Sequence, residues 1–118
     1  MKNLILPSLI VLGIVGLIIF FGSTQKSTQP QTISPYDENA KVMFFYSESC
    51  GWCQKEKQVL DELAKDGYKV KPMDVKANPD IWTQYKISGT PTFIAPDGQR
   101  LVGYTEKEKL KEFLEKYK

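Results

Sequence analysis

The sequence contains no histidine and only two cysteines among its 118 residues. The Ser-His-Asp triad, the Cys-His nucleophile pair and imidazole metal sites all require histidine, so these forms of catalysis are excluded. Two cysteines cannot supply a four-thiolate zinc or iron–sulfur site within one chain. Any cysteine chemistry must therefore come from the pair itself, and we expect neither a cofactor nor a resident metal.

Charge is scarce at the amino end, where Lys2 and Lys26 are the only charged side chains before residue 37. All 14 acidic residues follow, together with the rest of the 16 basic residues, so the remaining chain is formally neutral. Without a basic excess, the chain lacks the electrostatic footprint of a nucleic-acid-binding protein. We therefore expect no nucleic-acid partner.

One long apolar run extends from Leu4 to Gly22 and is broken only by Pro7 and Ser8. At about 1.5 Å per residue, a helix of this length just crosses a bilayer. The run predicts a signal-anchor in residues 1–24, with a single span, the amino end inside and the domain on the extracytoplasmic side. The alternative is a cleaved signal peptide, which would release a secreted domain.

Residues 25–37 are dominated by Ser, Thr, Gln and Pro. Such a segment cannot bury enough apolar surface to offset the entropy of ordering it, so it predicts a flexible tether. A single domain is then expected over residues 38–118.

The first half of this domain reads as a strand, a helix and a second strand. Residues 42–45 form the continuous apolar run of a strand buried on both faces. Residues 51–65 change to helical spacing and stop at Gly67. A second strand over residues 68–75 completes a βαβ unit, which should be parallel and right-handed.

The second half predicts a short helix after Pro79, a hairpin turning at residues 96–98, and a final amphipathic helix. Thr105 and Glu108 match a capping box at the start of that helix. The predicted order is βαβαββα, an α/β fold with a mixed four-stranded sheet.

Cys50, Gly51, Trp52 and Cys53 form a C-x-x-C where the first strand passes into the first helix. The positive end of the helix dipole there favours thiolate over thiol at Cys50. Cys53 lies one helical turn along and can attack a mixed disulfide formed by Cys50. We expect Gly51 to permit the tight turn and Trp52 either to contact substrate or to pack as a cap.

Two other interpretations of the cysteine pair remain open. The pair can be an inert cross-link or two small core residues, although a bridge closing so short a loop removes little chain entropy. Paired thiolates also suit Cu(I), which makes a copper-binding module the main alternative. Haem attachment is excluded because Gln54, not histidine, follows the second cysteine.

A second motif, Gly-Thr-Pro-Thr-Phe at residues 89–93, opens a hairpin strand about forty residues later. With both motifs in place, the chain over residues 41–117 resembles the thioredoxin-like family. The resemblance implies a cis Thr90–Pro91 bond facing the cysteines, with Cys50 attacking, Cys53 resolving, and Thr90 and Pro91 presenting backbone to the substrate. Gly51 and Trp52 would lie on the same substrate-binding surface.

The sequence departs from thioredoxins where their first strand carries a buried aspartate, since Phe44 occupies that position. Glu48 and Glu56 are nearby candidates for the missing proton acceptor, but we expect both to be solvated. The chain is thus interpreted as a minimal, monomeric, membrane-anchored thiol–disulfide oxidoreductase. Its expected partners are cysteine-containing protein substrates and a redox partner protein.

Overall fold

The fold is taken from a computed structural model, in which residues 32–118 are described. They form one compact unit of four strands and three helices. In chain order these are β1 (Met43–Tyr46), α1 (Gly51–Lys65), β2 (Lys71–Asp74), α2 (Ile81–Gln84), β3 (Thr92–Ile94), β4 (Arg100–Val102) and α3 (Lys107–Glu115). The predicted order βαβαββα is confirmed.

The four strands form one mixed sheet in the order β2-β1-β3-β4. β1 pairs in parallel with β2, as a strand–helix–strand unit requires, and antiparallel with β3. β3 and β4 form the antiparallel hairpin predicted from the turn at residues 96–98. β1 has the predicted length but is shifted by one residue, whereas β2 is shorter than predicted and begins three residues after the predicted start at Tyr68.

Apolar side chains fill both faces of the sheet. Phe44 and Phe45 are both fully buried, and because neighbouring strand residues point to opposite faces they enter two different cores. The larger core joins Phe44 and Phe93 to α1 and α3, and the smaller one joins Phe45 to Ile81 at the start of α2. The sheet is therefore covered by α1 and α3 on one side and by α2 on the other.

α1 has the predicted bounds because its signals are local. Its buried residues recur on one face, at Cys53, Glu56, Leu60, Leu63 and Ala64. The helix ends where Gly67 adopts a φ of 88°, a conformation that glycine reaches without the strain a side chain would bring.

The predicted capping box of the final helix is wrong. α3 begins at Lys107 with Glu106 as its N-cap, and no side chain caps it. A capping box would need the backbone N–H of Thr105 to bind the Glu108 carboxylate. That N–H instead donates to Glu56 on α1, at 2.7 Å.

The end of the predicted tether is already bonded to the domain. The N–H of Val70 donates to the carbonyl of Pro35 at 3.0 Å, and the N–H of Asp37 donates back to Val70 at 3.0 Å. Tyr36 stacks on Tyr46, so residues 35–37 are held by both hydrogen bonds and aromatic contact. The ordered domain thus includes at least three residues that were predicted to be tether.

The predicted anchor, residues 1–24, and the tether up to residue 31 lie outside the described residues. Within residues 32–118, every helix is too short or too polar to span a bilayer.

Candidate active site

The sheet topology brings the two sequence motifs together. Phe45 near the end of β1 pairs with Thr92 at the start of β3, because these strands run in opposite directions. Cys50 follows β1 and the Thr90–Pro91 bond precedes β3, so both lie at the same end of the sheet. The Thr90–Pro91 peptide bond is cis, and the Cys50 Sγ lies 3.5 Å from the Thr90 carbonyl oxygen.

Cys50 and Cys53 form a disulfide across the first turn of α1, with their Cα atoms 5.1 Å apart. Cys50 is the N-cap of the helix, in extended backbone conformation, and its Sγ accepts the Cys53 N–H at 3.1 Å. The sulfur therefore occupies the place of an ordinary capping oxygen, at the positive end of the helix dipole. Cys50 is half-buried, whereas Cys53 has an exposed fraction of 0%.

Trp52 is 57% exposed beside the disulfide. Its ring packs against Tyr104, with centroids 5.7 Å apart, and the Lys55 ammonium lies 4.6 Å from the centre of the Trp52 ring. The indole is thus partly packed and largely open. Tyr104 is itself 40% exposed, so the two rings form an open aromatic surface next to the cysteines.

The other predicted substrate-binding residues differ in what they expose. Pro91 is fully buried and its carbonyl accepts the Gly103 N–H at 2.8 Å, whereas Thr90 is half-buried. Of these two residues, only Thr90 has backbone groups that a substrate could reach. Gly51 is exposed with open space where a Cβ would stand, and its φ is not positive, so the expected need for glycine in the turn is wrong.

The expectation that Glu48 and Glu56 are both solvated is half correct. Glu48 is exposed and binds Lys57 at 2.8 Å, and this hydrogen bond lowers its pKa. Glu56 has an exposed fraction of 0% and is the one charged side chain buried within residues 32–118. Burial raises its pKa to about 7, against the opposing effect of the Thr105 N–H.

The sequence did not indicate that Tyr104 lies beside the cysteines, and the expectation that Glu56 is solvated is wrong. The helical spacing did hold a signal for Glu56, because position 56 lies on the same face as Cys53, Leu60 and Leu63. Tyr104 gave no such signal, since its contact with Trp52 arises only when β4 joins the sheet.

Within the described part of the chain, the two cysteines have no third side chain that would complete a metal site. Among residues 32–118, no three His, Cys, Asp or Glu side chains come together in a way that could hold a metal ion. The arrangement has the parts needed for disulfide exchange: a capping sulfur at a helix N-terminus, a buried second sulfur one turn along, and a backbone carbonyl beside the first.

Comparison with known proteins agrees with this chemistry. The thioredoxin family profile matches residues 23–116. A thioredoxin of Staphylococcus aureus is 34% identical over 100 residues, which cover 78% of this chain and 95% of the relative. Among solved structures, a mutant thioredoxin from Halobacterium salinarum NRC-1 is similar, with a TM-score of 0.57 and 29% identity over 68% of this chain and 77% of that one. Chloroplastic thioredoxin z has a TM-score of 0.56 and 26% identity, over 64% and 75% of the two chains. The chain therefore belongs to the thioredoxin family and is a thiol–disulfide oxidoreductase.

Proposed function

We propose that this oxidoreductase is tethered to a membrane and acts outside the cytoplasm on cysteine-containing proteins, with Cys50 as the attacking thiolate and Cys53 as the resolving thiol. The observation that carries the assignment of roles is the unequal exposure of the two cysteines. Cys50 is half-buried at the helix N-terminus, whereas Cys53 is fully buried beneath it. A substrate disulfide can reach only the first sulfur.

The reaction takes place in two exchanges. The Cys50 thiolate attacks one sulfur of the substrate disulfide, which forms a mixed disulfide and releases the other substrate sulfur as a thiolate. Cys53 then loses its proton and attacks the Cys50 sulfur, which closes the Cys50–Cys53 bond and releases the second substrate thiol. In this direction two electrons pass from the cysteine pair to the substrate. The reverse sequence oxidises a substrate dithiol, and in either direction a redox partner protein restores the starting state of the pair.

The substrate-binding surface consists of Gly51, Trp52, Thr90 and Pro91, with Tyr104 added from the structure. Trp52 and Tyr104 offer apolar area to residues that flank a substrate cysteine. Open space at Gly51 leaves room for the substrate chain, and the Thr90 carbonyl lies beside the reacting sulfur. Pro91 contributes by holding this loop, since its own side chain is buried.

The assignment of roles is tested by trapping. Reduced Cys53→Ser should accumulate a covalent mixed disulfide with a test protein that contains scrambled disulfides, because the resolving thiol is gone. Cys50→Ser should form no adduct and no exchange product. Trapping by Cys50→Ser instead would reverse the two roles, and equal trapping by both variants would contradict an ordered mechanism.

The location rests on the apolar run in residues 1–24, which lies outside the described residues. Cells that express the full chain can be treated with a thiol reagent that does not cross membranes, after mild reduction. Labelling of Cys50 in intact cells supports an extracytoplasmic domain, and labelling only after lysis contradicts it. The mass of the recovered chain shows whether residues 1–24 have been removed.

The copper-binding alternative uses the same two thiols. Titration of the reduced full chain with Cu(I) against a competing chelator separates it from disulfide exchange. Micromolar or weaker binding would remove a copper-carrying role, whereas much tighter binding together with failure of the trapping experiment would favour it.

A further inference from the structure

Glu56 is an unusual buried acid for a small domain. Both its oxygens are enclosed, yet only Oε2 has a partner, the Thr105 N–H at 2.7 Å. Oε1 has no hydrogen-bond partner among the described residues. A buried carboxylate with a single donor is held poorly in its charged form, and a proton on Oε1 relieves this cost. The structure therefore keeps a proton-accepting oxygen in the interior.

The position of this oxygen relates it to the reaction. Glu56 follows Cys53 by three residues on α1, and residues at this spacing are neighbours on one helix face, with Cβ atoms about 5–6 Å apart. Both side chains have exposed fractions of 0%. The buried thiol thus has a buried carboxyl group as its neighbour along the helix, away from water.

β1 offers no such group where it faces α1, at Phe44. Phe44 is fully buried at that position, and its ring stacks on Phe93 with centroids 5.0 Å apart. The face of α1 that includes Glu56 packs onto the same core as Phe44. The only buried acid on this side of the described sheet therefore comes from the helix and not from the strand.

We propose that Glu56 accepts the proton of Cys53 when the mixed disulfide is resolved. This rests on the assignment of Cys50 and Cys53 made above. The Cys53 S–H bond breaks, its proton passes to the Glu56 carboxylate, and the freed Cys53 thiolate attacks the Cys50 sulfur. The substrate leaves as a thiolate, and Glu56 then gives its proton to that thiolate or to solvent, so protons and electrons balance. A pKa of Glu56 near neutrality, raised by burial, suits a group that must both take up and release a proton.

Several of the charged groups nearest to Glu56 in the fold have partners of their own. Apart from Glu56, the ionisable groups on α1, on β1 and at the start of α3 are Tyr46, Cys53, Lys55, Lys57, Asp61, Glu62, Lys65, Glu106, Lys107, Glu108 and Lys109. Of these, Lys57 binds Glu48, Lys107 binds Glu62, and Lys55 lies over the Trp52 ring. None of the ion pairs within residues 32–118 includes Glu56. Its proton is therefore governed by burial and by the Thr105 N–H.

The experiment separates the two exchanges in the full-length reduced protein. An equimolar symmetrical aromatic disulfide releases one coloured thiolate when Cys50 attacks and a second when Cys53 resolves. Glu56→Gln should leave the first phase unchanged and slow the second by about 100-fold at pH 7, the lower end of a general base's contribution. The difference in second-phase rate between Glu56→Gln and the wild type should disappear at alkaline pH, where Cys53 ionises without a proton acceptor.

A second variant distinguishes proton transfer from a structural role. In Glu56→Gln the amide oxygen can still accept the Thr105 N–H, whereas Glu56→Met cannot, and neither can take a proton. A proton acceptor predicts that both variants lose the second phase. A structural role predicts that Glu56→Gln behaves as wild type and that only Glu56→Met is impaired, and this result would overturn the proposal. Glu56→Asp should restore part of the second phase.

Controls keep this proposal distinct from the assignment of the cysteines. Glu48→Gln removes the same charge from an exposed site and should change neither phase. Cys53→Ser should release one equivalent and Cys50→Ser none. If Cys50→Ser still releases thiolate, the assignment of the cysteines fails. If the cysteine variants behave as expected but Glu56→Gln and Glu56→Met both resolve at the wild-type rate, only the role of Glu56 fails. Should Glu56→Met not fold, Glu56→Gln alone decides. Should Glu56→Gln not fold, the pH dependence of Glu56→Met decides, because only the loss of a proton acceptor is compensated at alkaline pH, and a defect of equal size at every pH would overturn the proposal.

Discussion

Two helix N-termini lie on the same side of the sheet and are built in opposite ways. α1 begins after Cys50, whose sulfur caps the helix, and has no acidic residue in its first turn. α3 begins after Glu106, has no side-chain cap, and carries Glu108 in its first turn. Carboxylates near a helix N-terminus offset the positive end of the dipole. The dipole of α3 is therefore offset by acidic side chains. The positive end of the α1 dipole remains available to stabilise negative charge on the Cys50 sulfur.

The difference separates stability from function. A helix whose only need is to fold benefits from acids and a capping oxygen at its start, each worth a fraction of a kcal/mol to about 1 kcal/mol. α1 lacks both, and the acid nearest to its start, Glu48, is neutralised by Lys57 at 2.8 Å. The N-terminus of α1 thereby remains electropositive, which favours a thiolate at Cys50 in the dithiol form.

The two N-termini are also joined. The N–H of Thr105, just before α3, donates to Glu56 in the second turn of α1. This bond links the active-site helix to the segment that carries Tyr104, which in turn contacts Trp52. The buried Glu56 carboxyl group thus connects the active-site helix to the segment that carries Tyr104.

The largest effect is expected when the capping sulfur of α1 is replaced by an ordinary capping oxygen. Cys50→Ser places a hydroxyl, a favoured capping group, where the sulfur stands. We expect disulfide exchange to fall to background, while the reduced variant keeps its free energy of unfolding to within about 1 kcal/mol of the reduced wild type. Exchange assays and urea denaturation measure the two quantities. A loss of several kcal/mol would mean that the sulfur also holds the fold together.

The next largest effect concerns Glu56 and pH. Its pKa is raised from 4.5 to about 7 in the folded protein, so between these values the folded state binds more protons than the unfolded state. Stability from this site is complete below pH 4.5 and is lost as pH rises through 7. The shift corresponds to about 3 kcal/mol over that range. Denaturation of the oxidised protein at several pH values should show this loss, and Glu56→Gln should not.

Glu48 gives the matched control for that measurement, with the opposite sign. Its pKa is lowered by the hydrogen bond from Lys57, so its contribution is present at neutral pH and is lost as pH falls. Glu48→Gln should leave the decline between pH 4.5 and 7 in place. If Glu48→Gln and Glu56→Gln abolish the decline equally, its origin is general charge and not the buried site.

The contrast between local and long-range signals explains what the sequence could predict. α1 was predicted to its exact bounds because apolar spacing and Gly67 specify it within one segment. The meeting of Cys50 with Thr90 was implied by family resemblance, since these residues are 40 positions apart and only the strand order brings them together.

The capping-box prediction failed because a long-range contact overrode a local sequence pattern. Thr105 and Glu108 satisfy the local rule, but a partner 49 residues away, Glu56, takes the N–H that the box would use. A local pattern cannot reveal such competition. Glu56 was wrongly expected to be solvated because it is charged, although its spacing places it on the buried face of α1.

A smaller gain is expected from capping α3. Glu106 has the extended backbone of an N-cap but a side chain that makes no capping bond. Glu106→Asp keeps the charge and shortens the side chain to one favoured for capping, which should add about 1 kcal/mol to the free energy of unfolding. Neither phase of the exchange reaction should change, because α1 is not altered. Glu106→Gln tests the opposite direction, since it removes the charge and adds no good cap.

The smallest effect comes from giving α1 the acid that α3 already has. Gln54 is exposed at the end of the first turn, and its amide donates to the Glu48 carbonyl at 3.1 Å. Gln54→Glu should stabilise the helix by about 0.5 kcal/mol and disfavour the Cys50 thiolate by a similar amount. The first phase of exchange should then slow about twofold at pH 7, since 1.36 kcal/mol corresponds to tenfold.

Gln54→Met loses the same hydrogen bond without adding charge and should leave that phase unchanged. Equal slowing in both variants would show that the hydrogen bond matters and the dipole does not, and the difference between the two N-termini would then have no bearing on reactivity.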